Sequence, residues 1–507
     1  MPIRLTGMNS GLDTESIITE LVKAKSEKKN QLVKKQKTLG YQQEAWKTIN
    51  SKIYSFYSTT LGDMRWSTSY SKKKTTVSDS SVANVVTGTG AMNGTQTLEI
   101  TKLAKAAYLT GGEIKTASGE GGVSGDTKLS ELLDGFDADS TASFKFNGKD
   151  ITLTGSDTVT SVVNKLKSAN SNVNVSFDDG NDRIFIGAKS TGKDGNFDFT
   201  DISDDAQDVL KSLGLITGVD SEGKGVKSNY IAGQNAKITL NGAEFESSKN
   251  TFEINGLTIN AQKETNGPVT ITTEDDYDGI YDMVKNFFKE YNSMMKEIST
   301  LYNAESVGDM EPLTDEERDE VSDSEAEKWE EKLKASALRR DSTLGTVSDL
   351  ISSAMQKGIT VNGKTMYLAS FGISTAGYFN SDTFERNSFH IDGDKDDATS
   401  SGNADKLKTM ISNNPETVMT FFTELSRGLY SELTKSMSSL KDTRSIYKVY
   451  NDKLMQKEYD NYTAKIKEQE ELITAYEDRY YSRFSKMETA LAKLQSKETA
   501  LSGLLGG

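Results

Sequence analysis

The chain has no cysteine and a single histidine, His390, in 507 residues. Without cysteine there are no disulfides, no thiolate metal sites and no cysteine nucleophile. One imidazole leaves most general-base constellations and nearly all zinc sites short of ligands. No stretch approaches the roughly 18 consecutive apolar residues of a membrane span. Residues 1–20 hold no uninterrupted apolar run and no Ala-x-Ala site, so no secretory signal peptide is expected. Positive charge is also in deficit. The net charge of -15 argues against wholesale binding of nucleic acid or insertion at an anionic membrane. What is present is 35% hydrophobic and 27% charged residues, enough for several cores. The length corresponds to roughly two to four domains. Composition therefore leans towards a binding or structural protein rather than an enzyme, with no cofactor and no metal expected.

Both ends of the chain read as long helices with apolar seams. At the start, "MNSGLDTESIITELV" contains Ser10-x-x-Asp13, which fits a capping box, with Glu15 in the first turn. Leu12, Ile17, Ile18 and Leu21 begin its apolar face. One heptad line runs Ile18, Lys25, Leu32, Leu39, Trp46, Ile53. A second runs Leu21, Lys28, Lys35, Gln42, Ile49, Phe56 and is polar in its middle. At the other end Tyr459, Tyr462, Ile466, Ile473, Tyr476, Tyr480, Phe484, Met487, Leu491, Leu494 and Leu501 alternate by three and four. Gln469 and Glu498 fill the gaps, and 476–480–484 forms a stutter. With no Pro or Gly over 459–502, a helix of about 40 residues and about 60 Å is predicted. Heptads of this kind seek a partner helix. The economical arrangement pairs the two ends and inserts everything else between them.

The middle changes character near residue 72. From 75 to 272 the chain is rich in Thr, Ser, Asn and Gly. Asn147-Gly148, Asn241-Gly242 and Asn255-Gly256 each sit between short alternating runs. Type I′ hairpin turns need positive φ at both central residues, which Asn-Gly supplies. "VSFDDGNDRIFIG" supplies a longer turn, and one helix is predicted at 158–169. Helical periodicity returns at Ile280, Val284, Phe287, Phe288, Tyr291, Met294 and Met295. The charge-dense stretch after Pro312 reads as two exposed helices docked by Val321, Trp329 and Leu333. Further helices are expected at 342–357 and 404–445, with a hairpin between them.

These segments, in this order, resemble the flagellar filament cap family, the hook-associated protein 2 family. "MNSGLDTESIITELVKA" is similar to its N-terminal signature. The run "IAGQNAKITLNGAEFESSKNTFEINGLTINAQKETNGPVTITTEDD" is similar to its second block. "MVKNFFKEYNSMMKEI", "SFGISTAGYFN", "NNPETVMTFF" and "YEDRYYSRFSKMETALAKLQSKETAL" follow collinearly. Residues 143–190 also resemble the small β-β-α-β-β motif of hook and flagellin proteins. The departure is 386–403, an acidic loop where a short connection is expected.

The resemblance implies an α+β multidomain fold. Terminal helices pair as a coiled-coil stalk and helical leg, with an inserted antiparallel β-rich head of two small domains. The implied division is a stalk of 1–42 and 465–507, and a leg of 43–72 and 273–464. An inner head domain would span 73–112 and 236–272, and an outer one 113–235. It further implies a secreted, extracellular homo-oligomer at the filament tip that helps flagellin fold and insert and prevents monomer leakage. The implied partners are flagellin, hook–filament junction proteins, the flagellar export apparatus and a cytoplasmic export chaperone. The residues expected to carry assembly are the seam residues Leu12, Ile17, Ile18, Leu21, Leu32, Leu39, Trp46, Ile473, Tyr476, Tyr480, Phe484, Met487, Leu491, Leu494 and Leu501.

Other motifs admit blander readings. "GITVNGKT" at 358–365 satisfies the P-loop pattern, the basis of a nucleotide-binding alternative. A P-loop, however, follows a buried strand and opens a helix. Here a helix precedes and a strand follows, so Asn362-Gly363 reads as a hairpin turn. "DGDKDD" at 392–397 starts like a calcium loop but carries Asp397 at position six and Asn403 at position twelve, so a solvated acidic loop is expected. "KAKSEKKNQLVKKQK" at 23–37 has seven lysines and no interleaved aromatics. Lys28 and Lys35 are expected to meet acids such as Glu470 or Glu477. A second functional alternative, an adhesin binding host mucin or glycan through the β head, finds no aromatic-lined site in its favour.

Overall fold

The structure is a computed structural model that describes residues 10–119, 122–377 and 382–505, with side chains as far as 502. Two short pieces of the family resemblance, Met8–Asn9 and 378–380, lie outside the described residues. Contacts divide the α+β chain into two compact units, Met1–Tyr70 with Tyr277–Gly507, and Ser71–Asp276. The helices in chain order are α1 (Thr14–Ser58), α2 (Thr60–Met64), α3 (Leu129–Leu132), α4 (Val159–Ala169), α5 (Asp204–Ser212), α6 (Tyr277–Tyr302), α7 (Asp315–Asp319), α8 (Asp323–Ala335), α9 (Ser342–Gln356), α10 (Lys406–Asn413), α11 (Pro415–Ser436) and α12 (Asp452–Leu505).

The first unit is helical. Its core gathers the second half of α1 (Trp46, Ile49, Ile53, Phe56) against one face of α6 (Val284, Phe287, Phe288, Tyr291, Met295). Ile351 of α9 and Phe421, Phe422, Leu425 and Leu429 of α11 complete it. Each face follows the three-and-four spacing of an amphipathic helix. Burial of each large side chain contributes roughly 1.5–3 kcal/mol. Pro415 opens α11 at its first turn, where its missing N–H costs nothing. Two small hairpins complete this unit. One pairs Ile359–Val361 with Lys364–Met366, the other Ile373–Thr375 with Phe389–Ile391.

The charge-dense stretch forms α7 and α8, each opened by a capping box from Thr314 and Ser322. Their docking differs from expectation. Ala326 and Leu333 are buried, whereas Val321 is exposed. Trp329 stays partly exposed and donates its indole N–H to the Glu311 carbonyl at 2.8 Å. One helical stripe faces inward, and Ala326 and Leu333, seven apart, share it.

The second unit is β-rich. A five-stranded sheet runs, in spatial order, Lys73–Val77, Val269–Asp275, Gly94–Lys102, Ala236–Leu240, Ala243–Ser247. With the sheet of Thr251–Ile254, Leu257–Ala261 and Ala83–Thr87 it encloses Leu98, Ile100, Ile238, Phe252, Ile259 and Ile271. A second core holds Leu109, Phe144, Phe146, Leu153, Val162, Leu166, Ile186, Phe197, Phe199 and Leu210, drawing on α4, α5 and two further sheets. The Asn-Gly pairs at 147–148, 241–242 and 255–256 turn hairpins with φ near +50° and +80°, as type I′ geometry requires.

Candidate assembly interface

The two terminal helices lie antiparallel in the first unit. Ser10 donates its backbone N–H to Glu488 at 3.2 Å, and its hydroxyl bonds the same carboxylate. Tyr481 donates to Glu15 at 3.1 Å, and Lys25 lies 5.4 Å from the Tyr476 ring centroid. Gln36 reaches Thr463 at 2.6 Å, and Trp46 stacks on Tyr450 with centroids 5.1 Å apart. As one partner's number rises the other's falls, which fixes an antiparallel register along the pair. α12 is 54 residues long, beginning at Asp452 rather than near 459. No Pro or Gly precedes 459 in that stretch, and the Asp452 carboxylate accepts from the Ser445 N–H at 2.7 Å.

The start of α1 differs from expectation in two ways. Asp13, not Ser10, caps the helix, accepting from the Ser16 N–H at 3.1 Å, while Ser10 is committed to Glu488. The buried positions then run Thr14, Ile18, Ser26, in multiples of four, rather than along the heptad line through Lys25. An ammonium without a partner is costly to bury, and the small Ser26, its hydroxyl donating to the Val22 carbonyl, takes the buried position instead. Lys25 is left outside to lie over Tyr476.

Of the seam residues, Ile18, Leu39 and Trp46 are buried, and Leu32 is half-buried. Ile473, Tyr476, Tyr480, Phe484, Met487 and Leu491 are all half-buried, on one continuous face of α12. Five others stay outside the pair: Leu12 just before α1, Ile17 and Leu21 on α1, and Leu494 (62% exposed) and Leu501 (57% exposed) on α12. A single neighbouring helix therefore covers the α12 seam only in part. Asn50 is a structural tie that periodicity missed. Buried beside Ile49 and Ile53, it donates to the Tyr447 carbonyl at 3.2 Å and accepts from the Val449 N–H at 2.9 Å. It ties α1 to the segment leading into α12. An Asn among apolar heptad positions was the available signal.

The lysine-rich stretch meets different acids from those expected. Lys34 pairs with Glu317 at 2.7 Å and Glu311 at 3.6 Å, Lys37 with Asp315 at 3.0 Å, and Lys29 with Glu316 at 4.0 Å. Lys37 also donates to the Leu313 carbonyl at 2.9 Å. Lys28 and Lys35, a full heptad apart, share an exposed face instead. The Glu317 hydrogen bond raises the Lys34 ammonium above its usual range. Burial pushes Glu317 up, but hydrogen bonds from Lys34 and the Thr314 N–H outweigh it and hold the carboxyl low.

At 358–365 the chain makes a two-residue hairpin, with φ +51° at Asn362 and +76° at Gly363. Lys364 sits exposed on its second strand, and no α-helix opens there to present N–H groups to phosphate. The acidic loop is not simply solvated. Asp394 is buried, and the Lys285 ammonium of α6 lies 2.5 Å from it and 2.6 Å from Asp396. These two hydrogen bonds raise the Lys285 ammonium above its usual range. His390 contacts Asp397 at 2.7 Å, and Asn292 of α6 bonds both the N–H and the carbonyl of Phe389. The loop is an ordered tie onto α6, with a lysine between the carboxylates.

Comparison with known proteins converges. A family described as flagellar hook-associated protein 2 C-terminus matches residues 233–496, and one described as flagellar hook-associated protein 2 N-terminus matches residues 10–107. The flagellar hook-associated protein 2 of Halalkalibacterium halodurans is 22% identical over 98% of this chain and 99% of its own length. That of Escherichia coli K12 is 23% identical over 98% and 96%. Among solved structures, the D1-D2-D3 domains of the flagellar cap protein FliD from Escherichia coli cover 78% of this chain and 97% of their own, at 20% identity and a TM-score of 0.48.

Proposed function

The chain belongs to the flagellar hook-associated protein 2 family, and from that premise we propose that it caps the tip of a bacterial flagellar filament as an oligomer of itself. In this role it is secreted through the flagellar export apparatus, escorted in the cytoplasm by an export chaperone. It meets the hook–filament junction proteins and then holds a space in which arriving flagellin folds and inserts, while blocking monomer leakage. The work is structural and requires no catalysis. We assign the stalk to 1–42 and 465–507 and the leg to 43–72 and 273–464. The inner head takes 73–112 and 236–272, and the outer head 113–235.

The observation that carries the assembly reading is the α12 seam. Its face from Ile473 to Leu491 is only half-covered by α1, and Leu494 and Leu501 beyond it are uncovered. A heptad face of that length gains further burial only by taking on more helices. The exposed Leu12, Ile17 and Leu21 belong to the same surface by this reading. A deletion strain tests the function. Short or absent filaments with soluble flagellin in the medium are expected, restored by the full chain. Normal filaments in the deletion strain would overturn the proposal.

A further inference from the structure

An aromatic row crosses the first unit away from the helix-pair seam. The Arg65 guanidinium lies 4.0 Å from the Tyr430 ring centroid and 4.8 Å from that of Trp66. Tyr430 stacks on Tyr57 at 4.2 Å, Tyr57 meets Tyr54 at 6.1 Å, and Tyr54 meets Tyr447 at 5.2 Å. The ends of the row are open to solvent. Trp66 is 52% exposed, Tyr447 45% and its neighbour Ile446 58%. Tyr447 holds φ at +64°, a left-handed conformation that bulky side chains avoid, and Asn50 grips its carbonyl there. The fold thus holds an aromatic ring outward in an unfavourable backbone geometry. Among the described residues Arg65 makes no ion pair; its guanidinium meets the two rings and the Gly62 carbonyl. Trp, Tyr and Arg clustered in this way have the composition of an interface hot spot.

Resting on the assembly reading above, we propose that this row is the docking surface for the first turns of α1 from a second copy of the chain. The chemistry matches on both sides. Those turns present exposed Ile17 and Leu21, with exposed Leu12 just ahead of them, beside an exposed carboxylate, Glu20, three residues beyond Ile17 on the same helical face. The row offers aromatic edges, Ile446 and an uncompensated guanidinium. Lys-rich turns, such as those carrying Leu494 between Lys493 and Lys497, would set like charge against Arg65. The copy cannot satisfy its own row. Ile17 and Tyr54 are separated along one unbroken helix by about 55 Å. The contact is therefore head-to-tail, joining two different patches, and such contacts generate rings or helical stacks.

The test uses the full chain and sedimentation velocity at matched concentrations. Ile446→Ser/Tyr447→Gly removes two exposed side chains, and glycine suits the left-handed position, so the variant should keep the wild-type circular dichroism spectrum. It should self-associate about 30-fold more weakly, the effect of losing a hot spot. Arg65→Glu should weaken association similarly, and Arg65→Glu/Glu20→Arg should regain it. A photo-crosslinking side chain at position 66 should capture residues 12–21 of another copy. Folded variants that assemble like wild type would overturn the docking site alone. Crosslinks to another segment, or only to added flagellin, would also overturn it. A wild-type chain that never self-associates would overturn the assembly reading with it.

Discussion

Trp46 shows how a single residue joins the two ends of the chain. It lies on α1, is buried to 2% exposure, and stacks on Tyr450 with planes 10° apart just before α12 begins. Trp46→Ala should cost about 3–5 kcal/mol, the usual range for emptying a buried aromatic site, read as a lower urea midpoint for the helical unit. Trp46 was legible as a heptad position. Asn50 was not, because a buried amide is justified only by the two backbone groups it satisfies, and those come from residues 447 and 449. Asp397 makes the same point through charge. Burial pushes its carboxyl up, but hydrogen bonds from His390 and the Thr399 N–H more than offset this and leave it below the ordinary range. A lowered folded value means that the unfolded chain binds the proton more readily. The contribution is therefore full above the ordinary Asp value of about 3.9 and lost as pH falls from there through the folded value. Asp397→Asn should reduce stability at pH 7 and flatten the acid limb. Unfolding curves measured from pH 7 down to about pH 3 check this, and an acid limb identical to wild type would show that the contact contributes nothing.

Among the elements, α12 was read well in periodicity and poorly in extent. Its half-buried positions follow the predicted face, because three-and-four spacing is a local property of the helix. Which turns acquire a partner depends on where α1 runs. That is why Leu491 is half-buried and Leu494 open, although both occupy the seam. The difference makes a clean contrast. Leu494→Asp should leave the stability of the isolated chain within about 0.5 kcal/mol, since the residue is exposed there. It should nevertheless abolish self-association in sedimentation. Leu491→Asp should impair both, since it also strips half-buried apolar surface from the helix pair. If Leu494→Asp assembles normally, the end of α12 does not face another copy. The lysines of α1 show the complementary failure of local reading. Their number was plain, but only the path of α7 brings Glu311 to Glu317 beside Lys34 and Lys37.

At the scale of the whole molecule, the inserted unit Ser71–Asp276 has two cores of its own. Its entry and exit strands pair side by side, Lys73 opposite Asp275. A fragment of residues 71–276 should therefore fold alone and unfold cooperatively in a thermal melt monitored by circular dichroism. A fragment that shows no transition, or is digested as fast as an unfolded chain, would contradict independence. The nested plan follows from the order of patterns along the chain. Heptads at both ends and Asn-Gly hairpins between them leave an insertion as the only economical topology, because each pattern is imposed by backbone geometry within a few residues. The absence of cysteine and the scarcity of histidine bounded the chemistry in the same local way. Tertiary structure alone decided the register of the terminal helices, the acids that meet the lysines, the docking of the acidic loop through Lys285, and the outward display of Trp66 and Tyr447. Those features depend on groups more than a hundred residues apart. Their energies come from burial and charge pairing, which exist only once the chain has closed on itself.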